Sequence, residues 1–263
     1  MKTSLALFFA SLTITISAVA QTEVQALIEA SEPDIYPSPL RPVTPMRRTA
    51  AVEFIIRRSH TLSNIQGIDV SRYQGKINWR NVAFDRHARY VYIKATENVS
   101  LVDPYYYTNL REARAAGIPA GAYHFFSPSA SPSMQLMNLT RTVPDLSEQD
   151  LIPMIDVETR GKGSLEEFQS RLRQFLIGVE RHYGVKPIIY TGTNFYNRYL
   201  CGQFDDYLYM IARYSNEMPE LNCNPKFAIW QYSEKGSVAG IQGHVDLSRF
   251  VDQYSLEDIL IKK

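Results

Sequence analysis

Between Gly67 and Phe250 the chain keeps returning to one unit: a short apolar run rich in Val, Ile and Tyr, then a polar or helical stretch. The runs are GIDVS (67–71), YVYIKATE (90–97), AGAYHFF (120–126), IPMIDVE (152–158), PIIYTG (187–192), LYMIARY (208–214), FAIWQY (227–232) and HVDLSRF (244–250). Each has the length of a buried strand rather than of a helix. Two of the stretches between them carry helix signals. In DPYYYTNLREARAAG, Asp103 is placed as N-cap, Pro104 at the first helical position and Gly117 just past the end. In SLEEFQSRLRQFLIGVERHYG, Ser164 and Glu167 have capping-box spacing, Leu165, Phe168, Leu172, Phe175 and Val179 share one face, and Gly184 closes the helix. Strands alternating with helices predict a parallel sheet. Eight strands in this span predict an α/β fold, a modified TIM-type barrel with fewer than eight helices. Little chain separates the last runs, so outer helices are expected to be short or missing there.

The segment before the barrel reads differently. Lys2, the apolar run Leu5 to Ile16 and the Ala18-Val19-Ala20 site predict a secretory signal over residues 1–20. The run is short for a membrane span, which needs ~20 apolar residues. Residues 21–64 contain Pro33, Pro37, Pro39, Pro42 and Pro45 and read as a proline-rich stalk. The barrel domain is expected over 65–263, exported to the periplasm or beyond the cell and monomeric. A formal net charge of +1 gives no field for nucleic acid or an anionic membrane surface. Cys201 and Cys223, the two cysteines of the chain, are expected to pair in an oxidising compartment, two buried thiols being the alternative. None of the five histidines has the spacing of a metal site, and no cofactor is expected.

In a parallel barrel the reactive groups gather at the C-terminal ends of the strands. Those ends carry Asp69, Glu97, Tyr123 and His124, Asp156 and Glu158, Tyr190, Arg213 and Tyr214, Trp230 and Gln231, and Asp246. A ring of carboxylates edged by aromatics describes a glycosidase cleft, where sugars stack on rings and paired acids break the glycosidic bond. In MIDVET, one valine separates Asp156 from Glu158, so in a strand both leave the same face. Each raises the other's pKa, which lets one hold a proton while the other stays charged. Bland readings exist for each residue. Asp69 could cap a helix, Asp246 could pair with Arg249, and His124 is more often a satisfied core histidine than a base.

GIDVSRYQGKINW, YVYIKATEN, DPYYYTNLREARAAGIPAGAYHFF, PMIDVE, IIYTG and IWQYSEKGSVAGIQGHVDLSRF occur in this order. Together they closely resemble glycoside hydrolase family 25, the Chalaropsis-type lysozymes, over residues 67–250. The resemblance implies a (β/α)5(β)3-like barrel and N-acetylmuramidase activity on peptidoglycan glycan strands. It implies Glu158 as general acid and Asp156 as its partner, either orienting the substrate acetamido group or stabilising positive charge. Asp69 and Asp246 would complete the acidic cluster, and Tyr123, Tyr190, Tyr214, Trp230, Gln231 and Glu97 would line sugar subsites. Two positions depart from the family pattern: Asn98 stands where glycine usually follows the acid, and Ser248 where asparagine is common. A chitinase-like hydrolase, an inactive glycan-binding module and a tethered envelope protein are the competing readings.

Overall fold

The computed structural model describes residues 65–262, except 252; the expected signal and stalk lie outside the described residues. Its strands are β1 (Gln66–Val70), β2 (Val91–Glu97), β3 (Leu101–Val102), β4 (Ala120–Phe125), β5 (Met154–Asp156), β6 (Ile188–Gly192), β7 (Leu208–Ala212), β8 (Lys226–Gly236) and β9 (Val245–Phe250). The helices are α1 (Trp79–Val82), α2 (Tyr106–Ala115), α3 (Pro132–Thr142), α4 (Leu165–Tyr183) and α5 (Thr193–Phe195), the last running into a π-turn over Tyr196–Leu200. The sheet order is β1-β9-β8-β7-β6-β5-β4-β2-β3, and pairing of β1 with β2 closes it. Because β3 is only a short antiparallel flap on β2, eight strands form the barrel. All five helices fall between β1 and β7; none separates β7 from β8 or β8 from β9.

One strand corrects the expectation of a parallel sheet. β9 runs antiparallel to both β8 and β1. The link from β8 to β9 spans only residues 237–244, whereas a parallel return needs a crossover of about a dozen residues or more. The chain therefore turns back on itself. This inversion matters for the site: Asp246 opens β9 rather than ending it, and it lies directly opposite Asp69 near the end of β1.

Alternation along each strand sends one set of side chains outward to the helices and the other into the barrel. Outward, Ile68, Ile93, Ala122, Ile155, Ile189 and Ile211 pack with the α4 residues Phe168, Leu172, Phe175 and Val179 in one core. Inward, Tyr90, Tyr92, Met154, Ile188 and Met210 fill a second core that Leu256, Ile259 and Leu260 plug from below. Two tyrosines fit inside because β1 offers Gly67, where a Cβ would overlap the Tyr90 ring. Ser248, the departure from the family pattern, is buried between these parts: it meets the Tyr90 hydroxyl at 2.8 Å and donates to the Gly67 carbonyl at 3.2 Å.

Several helix signals hold in altered form. Asp103 does not cap α2, which begins at Tyr106; its carboxylate instead accepts from the Tyr105 and Arg72 backbone N–H groups, tying the loop after β1 to the one after β3. Ser164 caps α4 through the Glu167 N–H at 3.1 Å, but the Glu167 side chain pairs with Arg171 rather than closing the box. Leu165 is 41% exposed and stands off the buried face, one turn too early to reach the sheet. α3 carried no recognised signal. It is held by Gln135, buried and bonded to the Ser127 backbone N–H and carbonyl, a tertiary contact without a local pattern.

Cys201 and Cys223 are joined in a disulfide with Cα atoms 5.5 Å apart. Beside it, the Asn222 N–H donates to Asn197 Oδ1 at 2.8 Å, so the π-turn and the loop after β7 are pinned together. Thiol titration of the denatured, unreduced protein should find neither cysteine free. Reduction should lower the unfolding free energy by about 3 kcal/mol, the loop-closure value for this separation. Two titratable thiols would rule the bond out.

Candidate active site

The inward alternation that builds the lower core ends, one layer higher, in polar groups. Asp69 follows Gly67, Lys94 follows Tyr92, Asp156 follows Met154 and Tyr190 follows Ile188, each two residues on along its strand. Gln231 of β8 and Asp246 of β9 complete the layer, bonded or paired to Asp69. Thus the barrel mouth is lined by carboxylates because the same face is apolar below and faces solvent above.

Two irregularities aim this layer. β2 shifts register between Lys94 and Thr96, so that Glu97 returns to the side of Lys94. A bulge has this effect because its extra residue reverses the alternation beyond it. The Glu97 carboxylate then receives the Lys94 ammonium at 2.7 Å. Asn98 follows with φ +52°, a left-handed conformation that asparagine tolerates better than most non-glycine residues. That is the physical reason glycine is usual there. The turn is braced by Asn138, whose amide donates to the carbonyls of Glu97, Asn98 and Leu101.

Gln231 is the hub of the opposite wall. Its Oε1 accepts from the Tyr190 hydroxyl at 2.8 Å and from the Tyr214 hydroxyl at 3.1 Å. Its Nε2 donates to Asp69 Oδ2 at 2.9 Å. Asp69 is half-buried; desolvation first, then the Asp246 charge facing it, lift its pKa well above the ordinary range. Asp246 is raised too, by desolvation first, as expected of two carboxyl groups that face each other across a strand pair.

Asp156 is 8% exposed, and its Oδ1 is buried without a hydrogen-bond partner. Burial, then Glu158 and Asp69, push its pKa well up, with Lys94 pulling the other way. Glu158 lies just beyond the end of β5 and is exposed. It is raised by partial desolvation and by Asp246, while Lys94 and the Tyr190 hydroxyl favour its charged form. From Glu158 a groove of about 660 Å³ runs past Tyr190 and Tyr214 to Asn194, Phe195 and Glu220. Tyr123, half-buried, faces the same acids: desolvation, then Asp69 and Asp156, raise its pKa.

Asp69, Asp156, Glu158, Asp246, Tyr123, Tyr190, Tyr214, Gln231 and Glu97 therefore meet at one mouth. Trp230 does not. It precedes Gln231 on the same strand and so faces the other way; its ring is 2% exposed under the Arg249 guanidinium, and its N–H donates to the Arg213 carbonyl at 2.9 Å. Adjacent strand residues cannot both face the cleft. His124 is a core histidine: it bonds Thr96 at 2.7 Å and Gln135 at 3.3 Å, and burial pushes its pKa down to about 3. Sequence reasoning missed Lys94, the cation among these acids. Its signal was a lysine at an inward position of an otherwise apolar strand. Among the described residues no group of three or more His, Cys, Asp or Glu is placed to hold a metal ion, and no helix is long and apolar enough to cross a membrane.

Comparison with known proteins adds to this geometry. The family described as Glycosyl hydrolases family 25 matches residues 68–241. The Escherichia coli protein named Uncharacterized protein YegX is 44% identical over 190 residues, covering 71% of this chain and 69% of that protein. Lysozyme M1 of Streptomyces globisporus is 30% identical over 202 residues, covering 72% of this chain and 68% of its own. A solved family 25 glycosyl hydrolase from Bacillus anthracis superposes with a TM-score of 0.66 at 30% identity, covering 74% of this chain and 91% of that one.

Proposed function

The chain belongs to glycosyl hydrolases family 25 and is a glycoside hydrolase of the lysozyme type, and on that premise we propose that it cuts the β-1,4 bond from N-acetylmuramic acid to N-acetylglucosamine in peptidoglycan. One observation carries the reading: besides Glu97, which is paired with Lys94, four carboxyl groups converge on the barrel mouth, and of them Glu158 stands at the edge of the open groove with a raised pKa.

Glu158 is the general acid. Its proton goes to the glycosidic oxygen as the C1–O bond breaks, a step that requires the acid to be neutral beforehand. Asp156 lies deeper. Its burial suits it less to attack the anomeric carbon than to accept the acetamido N–H of the N-acetylmuramic residue. Held so, the acetamido carbonyl oxygen bonds to C1 and carries the positive charge as an oxazolinium. Glu158, now a carboxylate, takes a proton from the water that reopens the ring, and the new reducing end is N-acetylmuramic acid with retained configuration. Asp246 places its charge beside the pair, which favours the neutral form of Glu158 before the first step. Tyr190, Tyr214 and Tyr123 offer ring edges and hydroxyls to the sugars, and Gln231 fixes the first two.

Residues 1–20 as an export signal and 21–64 as a stalk fit an enzyme whose polymer lies outside the cytoplasmic membrane. Mass spectrometry of purified peptidoglycan after digestion is the test. New reducing ends on N-acetylmuramic acid are expected; new ends on N-acetylglucosamine would replace this reading with a glucosaminidase.

A further inference from the structure

The groove at Glu158 does not end at Asn194, Phe195 and Asn197. The same three residues wall a second groove of about 650 Å³, together with Arg198, Tyr199 and Asn222. Its floor is the Tyr199 ring, set against Phe195 with centroids 4.8 Å apart. Two guanidinium groups stand over that ring, Arg160 and Arg198, each 5.9 Å from the centroid. Among the described residues neither has a carboxylate partner. Arg160 spends one donor on the Gly163 carbonyl, and a guanidinium has five. Nearby acids are otherwise engaged or displaced: Glu217 pairs with Arg213 at 3.5 Å, and Glu220 lines the first groove but not the second.

A neutral sugar would be served by the ring and the asparagines alone. Two arginines gathered at the Tyr199 ring and hydroxyl with no carboxylate partner keep further N–H donors to offer a carboxylate, because each guanidinium has five. The placement is also specific: Asn194, Phe195 and Asn197 wall both grooves, so the groove lined by Arg198 and Tyr199 adjoins the one that starts at Glu158. We propose that this second groove binds the carboxylates of the stem peptides that branch from N-acetylmuramic acid, an inference that rests on the muramidase reading of the adjoining site. The enzyme would then prefer peptide-bearing strands over bare glycan.

The test uses the full protein, the double variant Arg160→Gln/Arg198→Gln, and two soluble substrates from one wall preparation. One substrate keeps its stem peptides. The other has lost them to an amidase and retains only the lactyl carboxylates. Wild type should show about tenfold higher kcat/KM on peptide-bearing strands, the worth of one charge-assisted hydrogen bond. The double variant should lose that preference, through KM, with an unchanged unfolding temperature and wild-type rates on stripped strands. Equal rates of the wild type on both substrates would overturn the proposal. So would a variant slowed equally on both, which would assign the arginines to the glycan or its lactyl group. A wild type that cleaves neither substrate would refute the muramidase reading itself. Cosedimentation with intact and peptide-stripped sacculi then decides the subsite, and equal binding by wild type and variant would exclude it.

Discussion

Glu158→Gln is expected to slow hydrolysis of peptidoglycan strands by ~10²–10⁴-fold, the range for loss of a general acid. Glutamine keeps the size and a donor N–H, so the sugar contacts of the groove persist and binding of wall fragments should remain near wild type. What it cannot do is give a proton to the leaving oxygen. The pH profile supplies a second readout. Because partial desolvation and Asp246 raise the Glu158 pKa, the proton-holding form extends above the usual carboxylate range. Activity should fall as pH rises through that raised value, and the variant's residual activity should lack this limb. Wild-type rates in Glu158→Gln would remove the residue from the acid role, and Asp69, Asp156 or Asp246 would have to be tested in its place.

Asp156→Asn should combine a similarly severe loss of activity with a gain in stability. The activity loss follows because a neutral amide cannot balance the charge that builds on the acetamido group and anomeric carbon. The stability gain follows from linkage. Burial, Glu158 and Asp69 raise the folded-state pKa of Asp156 above its unfolded value. A carboxyl raised in this way contributes stability that is full below the unfolded pKa, about 3.9, and is lost as pH rises through the folded pKa. At pH 7 the wild type bears the cost of a buried charge whose Oδ1 has no partner. The asparagine variant does not. Its unfolding free energy should rise by at least ~1 kcal/mol at pH 7, or about 2–4 °C in melting temperature for a domain of this size. The difference should vanish below about pH 4, where the wild-type carboxyl is protonated in both states. A variant less stable than wild type at every pH would show that Asp156 is held as a hydrogen-bonded carboxylate. Gains of this kind are the usual counterpart of strained active sites.

Much of this was legible in the chain itself. The eight apolar runs all became barrel strands, because each is bounded by polar residues and has the length of a strand buried on both faces. The α4 helix was legible from its apolar stripe and from Ser164. Asp156 and Glu158 stood out because two acids at a strand end have no packing reason to be there. What a local pattern cannot hold is direction and parity. That β9 runs backwards depends on how far the short link after β8 can reach. That Trp230 faces away from the cleft while Gln231 faces into it depends on which side of β8 became the inside. That Glu97 meets Lys94 depends on a register shift in β2 that no single residue announces.

The sequence by itself determined the set of strands, their apolar character, and the presence of acids near their ends. These follow from side-chain chemistry and the length of each run, which act within a few residues. Only the tertiary structure decided which acids share one mouth and which of them carries the raised pKa at an open groove. Closure of β1 on β2 and the reversal of β9 bring Asp69 and Asp246 face to face, although the chain between them spans nearly the whole barrel. Desolvation and charge repulsion depend on distance through space, and that distance exists only once the barrel has closed.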